Sequence, residues 1–178
     1  MPPGEAAVIQ LMIIDVDGVL TDGTVVFTGT GESTKRFHVH DGLGLRLAMA
    51  AGKTVALMSS AGSPAVVRRA EQLGIERVYQ NVSDKGAAYE AVRDELGLRD
   101  EAVCYIGDDL VDLPAMRRAG LPVAVANAAE EVKAVATFVT TRPGGRGAVR
   151  EVVEHVLKSE GVWDQTVARF TASEEAAR

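Results

Sequence analysis

A single cysteine, a shortage of basic residues and the lack of any bilayer-length apolar run narrow the reading of this 178-residue chain before any motif is considered. Cys104 has no partner for an intrachain disulfide, and it sits inside the apolar run AVCYIG, where a small buried thiol is the expected state. Nineteen Lys and Arg against 25 Asp and Glu leave a net charge of -6. That balance argues against a general nucleic-acid binder, because neutralising phosphates needs a basic face. The opening stretch MPPGEAAVIQ has neither the basic region nor the long apolar region of a secretory signal. Together with the lone cysteine, this makes a cytoplasmic protein with no membrane and no nucleic-acid partner the expectation. No internal repeat or low-complexity segment interrupts the chain.

What is present describes one ordinary globular domain over residues 1–178, with 47% hydrophobic and 25% charged residues. Apolar runs of strand length recur at LMIIDV, TVALMS, RVYQ, AVCYIG, LPVAVA and TFVTT, and most are separated by helical patterns. Continuous apolar strands alternating with amphipathic helices predict an α/β fold, a doubly wound and mostly parallel sheet covered on both faces. Ser63 and Pro64 read as N-cap and first residue of the helix PAVVRRAEQL; Ser83 reads as the start of DKGAAYEAVRDEL; and GAVREVVEHVLKSEG forms the last clear helix. One segment breaks the alternation. Residues 24–40 read as a small β-hairpin insertion with Gly29 and Gly31 at its turn. The tail from about residue 162 has little periodicity, with Trp163 and Phe170 as its anchors.

In an open parallel sheet, ligands bind beyond the carboxyl ends of the strands, and that rule gathers the polar residues into one set. The first strand ends in Asp15 and Asp17, the second in Ser59 and Ser60, Lys85 opens the helix after the third, and the fourth delivers Asp108, Asp109 and Asp112. Carboxylates from two strands converging on one point call for a cation, and an all-oxygen set suits a hard divalent ion such as Mg2+. Asp15, Asp108 and the main-chain carbonyl of Asp17 are the candidate ligands. Carboxylate, metal, hydroxyl and ammonium together match the needs of a phosphoryl group: a nucleophile, charge neutralisation and oriented hydrogen bonds.

The order and spacing of DVDGVLTDG, Ser59, Lys85 and GDDLVD resemble the four motifs of the haloacid dehalogenase superfamily of phosphohydrolases. More narrowly, DGVLTDG, the hairpin, DGLGL, VSDK, YIGDDLVDLPAM and RPGGRGAVREVVEHVL resemble the capless 3-deoxy-D-manno-octulosonate 8-phosphate phosphatase family over nearly the whole length. The resemblance implies a Rossmann-like core without a cap domain. It implies Asp15 as the nucleophile that forms an aspartyl-phosphate, Asp17 as acid and then base, and Mg2+ on Asp15, the Asp17 carbonyl and Asp108. Ser59 and Lys85 would hold the phosphoryl oxygens, joined by main-chain amides near Gly18 and Ser60, while Asp109 and Asp112 would orient metal-bound water or Lys85. It further implies a homotetramer to which the hairpin contributes, with Asp41 contacting substrate or neighbour. Arg142, Arg146 or the Gly144-Gly145 turn would recognise a small phosphorylated sugar acid. Three positions depart from the family pattern: Ser60 stands where Gly is frequent, Ala61 where a longer polar side chain is frequent, and Val111 where Asn is frequent.

Plainer readings stand beside these. Ser59 is able to cap the next helix, Asp109 to act as an N-cap, Asp112 to complement a helix dipole, Asp41 to cap a helix, and Arg142 and Arg146 to be surface charges. His38 and His40 fit a hairpin surface or subunit contact better than a metal pair. Asp22 fits the turn into the hairpin. Competing functions are a phosphatase of a nonulosonic acid 9-phosphate or another small sugar phosphate, a receiver-like phosphoryl switch, and a non-catalytic tetramerisation module. The second carboxylate of the DxD pair argues against the switch, because it supplies the acid and base that turnover needs.

Overall fold

The computed structural model describes residues 8–29 and 33–176. Its centre is β1 (Leu11–Asp15), all five residues of which are buried because strands pack on both edges and helices on both faces. After β1 the chain makes a wide turn at Val16–Leu20 and rises into a two-stranded antiparallel hairpin, β2 (Val26–Phe27) with β3 (Ser33–Thr34). It then continues through α1 (Val39–Ala50), β4 (Thr54–Met58), α2 (Pro64–Leu73), β5 (Arg77–Tyr79) and α3 (Lys85–Glu95). The second half runs β6 (Val103–Gly107), α4 (Leu113–Met116), β7 (Leu121–Ala124), α5 (Glu130–Val135), β8 (Phe138–Val139), α6 (Ala148–Ser159) and α7 (Trp163–Ala176).

The six larger-sheet strands lie in the order β5-β4-β1-β6-β7-β8, and every pair is parallel. The chain builds outward from β1 through β4 and β5, then returns to the other side of β1 with β6. This reversal opens a crevice at the carboxyl ends of β1 and β6, the place where such sheets bind ligands. Helices α1, α2, α6 and α7 form one contacting group, and α3, α4 and α5 another. Leu11, Ile13, Leu57, Tyr105, Ile106 and the α6 valines Val149, Val152, Val153 and Val156 are buried in the core between them.

All six strands predicted from the apolar runs are present. The helix starts need correction. Ser63 precedes α2 as expected, with Pro64 at its first position, but its hydroxyl caps nothing; its amide instead donates to Gln80 Oε1 at 2.6 Å. Asp84, not Ser83, caps α3, because its carboxylate reaches the Ala87 amide at 3.0 Å. The hairpin is shorter than residues 24–40, since Val39 and His40 already belong to α1; Gly31 lies outside the described residues. The tail is a helix, α7, although its sequence has little periodicity. Docking compensates for weak local preference: Trp163 and Phe170 pack on the core, with the Arg150 guanidinium 5.4 Å from the Trp163 ring and that of Arg46 5.0 Å from Phe170. Among the described residues, no helix is long and apolar enough to cross a membrane.

Candidate active site

The crevice collects its polar groups because β1, β4 and β6 end side by side. Asp15 is the last residue of β1, Ser59 follows β4, and Asp108 follows β6. Lys85 is the first residue of α3 and is almost fully buried, so its ammonium must find anions inside the protein. It finds two, pairing with Asp15 Oδ1 and, at 2.7 Å, with Asp112 Oδ1. A lysine in the first turn of a helix runs against the helix dipole. These two carboxylates outweigh both that field and the loss of water.

Asp112 is fully buried and has donors on both oxygens. Oδ1 accepts from Lys85 Nζ and from the Tyr105 hydroxyl at 2.8 Å, while Oδ2 accepts from the Asp108 amide at 2.9 Å and the Asp109 amide at 3.2 Å. It thus ties Lys85, the middle of β6 and the GDD turn together. Asp109 completes a reciprocal capping box with it, its side chain facing the Asp112 amide, and also accepts from the Leu110 amide at 2.8 Å, so the helix-cap reading of Asp109 is supported. Tyr105 was not singled out in the sequence; a tyrosine inside an apolar strand gives no sign that its hydroxyl reaches a carboxylate.

One carboxylate oxygen from each of Asp15, Asp108 and Asp112 lies within 4.8 Å of the others. Burial, then the charge of Asp112, raises the Asp15 carboxyl well above its ordinary value, although Lys85 opposes the shift. The same two causes push Asp108 up to about 6. For Lys85, burial pulls the ammonium down, but Asp15 and Asp112 win and hold it above its ordinary value. A group of carboxylates strained toward protonation is one that a hard cation would relieve, and the donors are all oxygen. The side chains divide between two places. The Asp17 carboxylate stands outside this cluster, whereas Asp112 lies inside it but is saturated by hydrogen-bond donors. Asp15 and Asp108 remain as the side chains able to hold Mg2+.

Asp17 faces a different set. Ser59 Oγ lies 3.2 Å from Asp17 Oδ2, and the Lys35 ammonium pairs with Asp17 Oδ1. Ser59 also bonds within its own loop, to the Ala61 carbonyl at 2.9 Å and from the Ala61 amide at 3.1 Å; it does not cap α2. Ser60 is exposed beside it. Lys35 went unnoticed in the sequence because it lies on the hairpin, and nothing local says that β3 returns over the end of β1.

The turn after Asp15 depends on glycine. Gly18 has φ +99, and a Cβ there would come 2.0 Å from Asp108 Oδ2, so only glycine allows the β6 carboxylate to lie against this turn. Its amide faces the buried Thr21 hydroxyl at 3.3 Å, and that hydroxyl donates to the Val16 carbonyl at 3.1 Å. Thr21 thereby braces the turn. A Cβ on Gly144 would meet the Gly18 carbonyl at 1.7 Å, and the Gly145 amide donates to the Val19 carbonyl at 2.8 Å. The Gly144-Gly145 turn therefore buttresses the turn that follows β1.

The remaining expected site residues separate. Asp41 is fully buried, and its carboxylate accepts from the Gly147 amide at 3.0 Å and the Arg150 amide at 2.9 Å. It caps α6, and burial raises its carboxyl despite those donors. A substrate contact is thus corrected to a link between α1 and α6. Arg146 is exposed and lines a cleft of about 160 Å³ with Asp22, Arg36, Phe37, His38 and Gly145. Arg142 packs over Gly147 instead and does not line that cleft. Asp22 shapes the hairpin entry as expected, with Oδ1 on the Thr24 amide at 3.1 Å and Oδ2 on Arg36 at 2.5 Å. His38 Nδ1 accepts from the His40 amide at 3.3 Å and opens α1; among the described residues it joins no metal-like grouping.

Known proteins agree with this geometry. A family model described as haloacid dehalogenase-like hydrolase matches residues 53–152. The chain is 42% identical over 157 residues to the 3-deoxy-D-manno-octulosonate 8-phosphate phosphatase KdsC of Escherichia coli K12, covering 88% of this chain and 84% of that protein. A haloacid dehalogenase superfamily hydrolase of subfamily III A from Legionella pneumophila superposes with a TM-score of 0.90 at 44% identity, covering 94% of this chain and 92% of the other. The 3-deoxy-D-manno-octulosonate 8-phosphate phosphatase of Moraxella catarrhalis, solved with magnesium, phosphate and KDO, superposes with a TM-score of 0.89 at 42% identity, covering 93% and 95%. Fold, carboxylate pair and kinship agree: this chain belongs to the haloacid dehalogenase-like hydrolases, among the 3-deoxy-D-manno-octulosonate 8-phosphate phosphatases.

Proposed function

We propose that this protein is a Mg2+-dependent phosphomonoester hydrolase that dephosphorylates 3-deoxy-D-manno-octulosonate 8-phosphate through an aspartyl-phosphate on Asp15. The observation that carries the reading is the separation of two carboxylates two residues apart. Asp15 lies in the buried cluster with Asp108 and Lys85, while Asp17 stands outside it, held by Ser59 and Lys35. In this reading Asp15 attacks phosphorus and Asp17 carries a proton.

An Asp15 carboxylate oxygen forms the bond to phosphorus as the ester oxygen leaves, and Asp17 gives that oxygen its proton. Asp17 then takes a proton from water as the water attacks the acyl phosphate, which frees inorganic phosphate and restores Asp15. Lys85 and Ser59 hold the transferring oxygens, with amides near Gly18 and Ser60. Asp15, Asp108 and the Asp17 carbonyl would hold Mg2+, which supplies charge neutralisation for the phosphoryl group when bound. Asp112, with Asp109 beside it, keeps Lys85 and the GDD turn in place.

The sugar-acid assignment is supported by the relatives that act on this substrate and by the cleft lined by Arg146, where a guanidinium fork suits a carboxylate. The short hairpin between β1 and α1, with its exposed apolar residues Val25, Val26 and Phe27, supports a homotetramer in which neighbours shelter each site. The cytoplasm is the compartment that fits the single buried, unpaired cysteine. The test is phosphate release across a panel of phosphate esters, including the octulosonate 8-phosphate and a nonulosonate 9-phosphate. A clear preference for the octulosonate ester is expected; flat activity across the panel would reject the sugar-acid assignment.

A further inference from the structure

The hairpin carries two consecutive cations, Lys35 and Arg36, and the two make different pairs. Arg36 holds Asp22 at the foot of the ascending leg, while Lys35 reaches inward to Asp17 Oδ1. The side chain of Lys35 is 11% exposed against 72% for Arg36. An ordinary surface pair leaves both groups in water and contributes little, whereas this ammonium is withdrawn from solvent at the mouth of the crevice. The register explains why it gets there: Val26 faces Thr34 and Phe27 faces Ser33, so the descending leg delivers Lys35 directly over the turn that follows β1. Asp17 then has Lys35 on one oxygen and the Ser59 hydroxyl on the other.

From this we infer that Lys35 is a positioning residue for Asp17: it fixes the orientation of the carboxylate that serves the leaving group, and so makes the hairpin a working part of the site. The inference rests on the phosphatase reading above. Without the ammonium, Asp17 keeps, among the described residues, the 3.2 Å approach of Ser59 Oγ, and its carboxyl group is free to turn away from the ester oxygen it serves. Misplacement of a reacting group by about 1 Å lowers rates by on the order of 100-fold. The loss must depend on the leaving group. A sugar alkoxide needs a proton to depart, whereas a nitrophenolate departs with little help.

The experiment compares wild type, Lys35→Met and Lys35→Arg on the octulosonate 8-phosphate and on p-nitrophenyl phosphate, with melting temperature recorded for each. For Lys35→Met, kcat on the sugar ester is expected to fall on the order of 100-fold, with KM moved far less. The fall on the nitrophenyl ester should be at least about tenfold smaller, and Lys35→Arg should recover part of the loss. An equal loss on both esters, a rise in KM alone, or no loss would overturn the role of Lys35. Wild type that releases no phosphate from either ester would instead overturn the phosphatase reading, so the two failures are distinguishable.

Discussion

At the scale of the residue, each buried charge in the crevice is explained by its partners. Asp15, Lys85 and Asp112 form a chain in which one ammonium serves two carboxylates, and Tyr105 supplies the extra donor that keeps the second in place. Removing the Asp112 charge therefore acts through Lys85 and the GDD turn: Asp112→Asn is expected to lower activity on the order of 10- to 100-fold, read as kcat in a phosphate-release assay. The raised Asp108 carboxyl gives a pH dependence. In the metal-free protein its folded value of about 6 exceeds its ordinary 3.8, so between those values the folded chain binds more protons than the unfolded one. Stability from this group therefore falls as pH rises through that window and is level above it. Mg2+ must displace the proton, so the rise in melting temperature on adding Mg2+ should be larger at pH 7.5 than at pH 5. Asp108→Asn should abolish most of that rise.

At the scale of the element, the less visible assignments concern caps and turns. Asp41 looks like a cap for the helix that contains it, yet its oxygens serve the Gly147 and Arg150 amides of α6, more than a hundred residues away. Asp41→Ala leaves those buried donors unpaired and is expected to destabilise the fold by about 1 to 3 kcal/mol, measured by urea unfolding. A raised KM with unchanged stability would instead return Asp41 to the substrate. The DxD and GDD motifs were legible in the sequence because each follows a strand that apolar runs announce. Lys35, Tyr105, Thr21 and the cap on α6 were not, because their partners are set by tertiary packing rather than by spacing. The same holds for α7, whose helical form depends on Trp163 and Phe170 docking against α1 and α6. Ser63 erred in the opposite way: the sequence position of an N-cap was right, but its hydroxyl is not used as one.

At the scale of the whole molecule, a mostly parallel sheet of six apolar runs was readable from alternation, whereas the central place of β1 comes from the strand order, and that order decides where the chemistry lies. Return of the chain to β6 beside β1 brings Asp108 to Asp15 across ninety-three positions of sequence. The hairpin is what the core does not account for: Phe27 is 72% exposed, Val25 and Val26 are exposed with it, and so is Val39 at the start of α1. If subunits meet there, Phe27→Glu should reduce a tetramer to smaller species by sizing with light scattering, and a wild-type monomer would remove that assembly. The central claim is narrower than the assembly. It is that Asp15 attacks the phosphate of a sugar acid while a divalent ion neutralises the charge. The most direct measurement is phosphate release from 3-deoxy-D-manno-octulosonate 8-phosphate by wild type, by wild type with EDTA and by Asp15→Asn. Turnover by wild type, lost with EDTA, restored by Mg2+ and reduced on the order of 10^4-fold or more in Asp15→Asn is the expected result. Asp15→Asn protein that keeps wild-type turnover would contradict it.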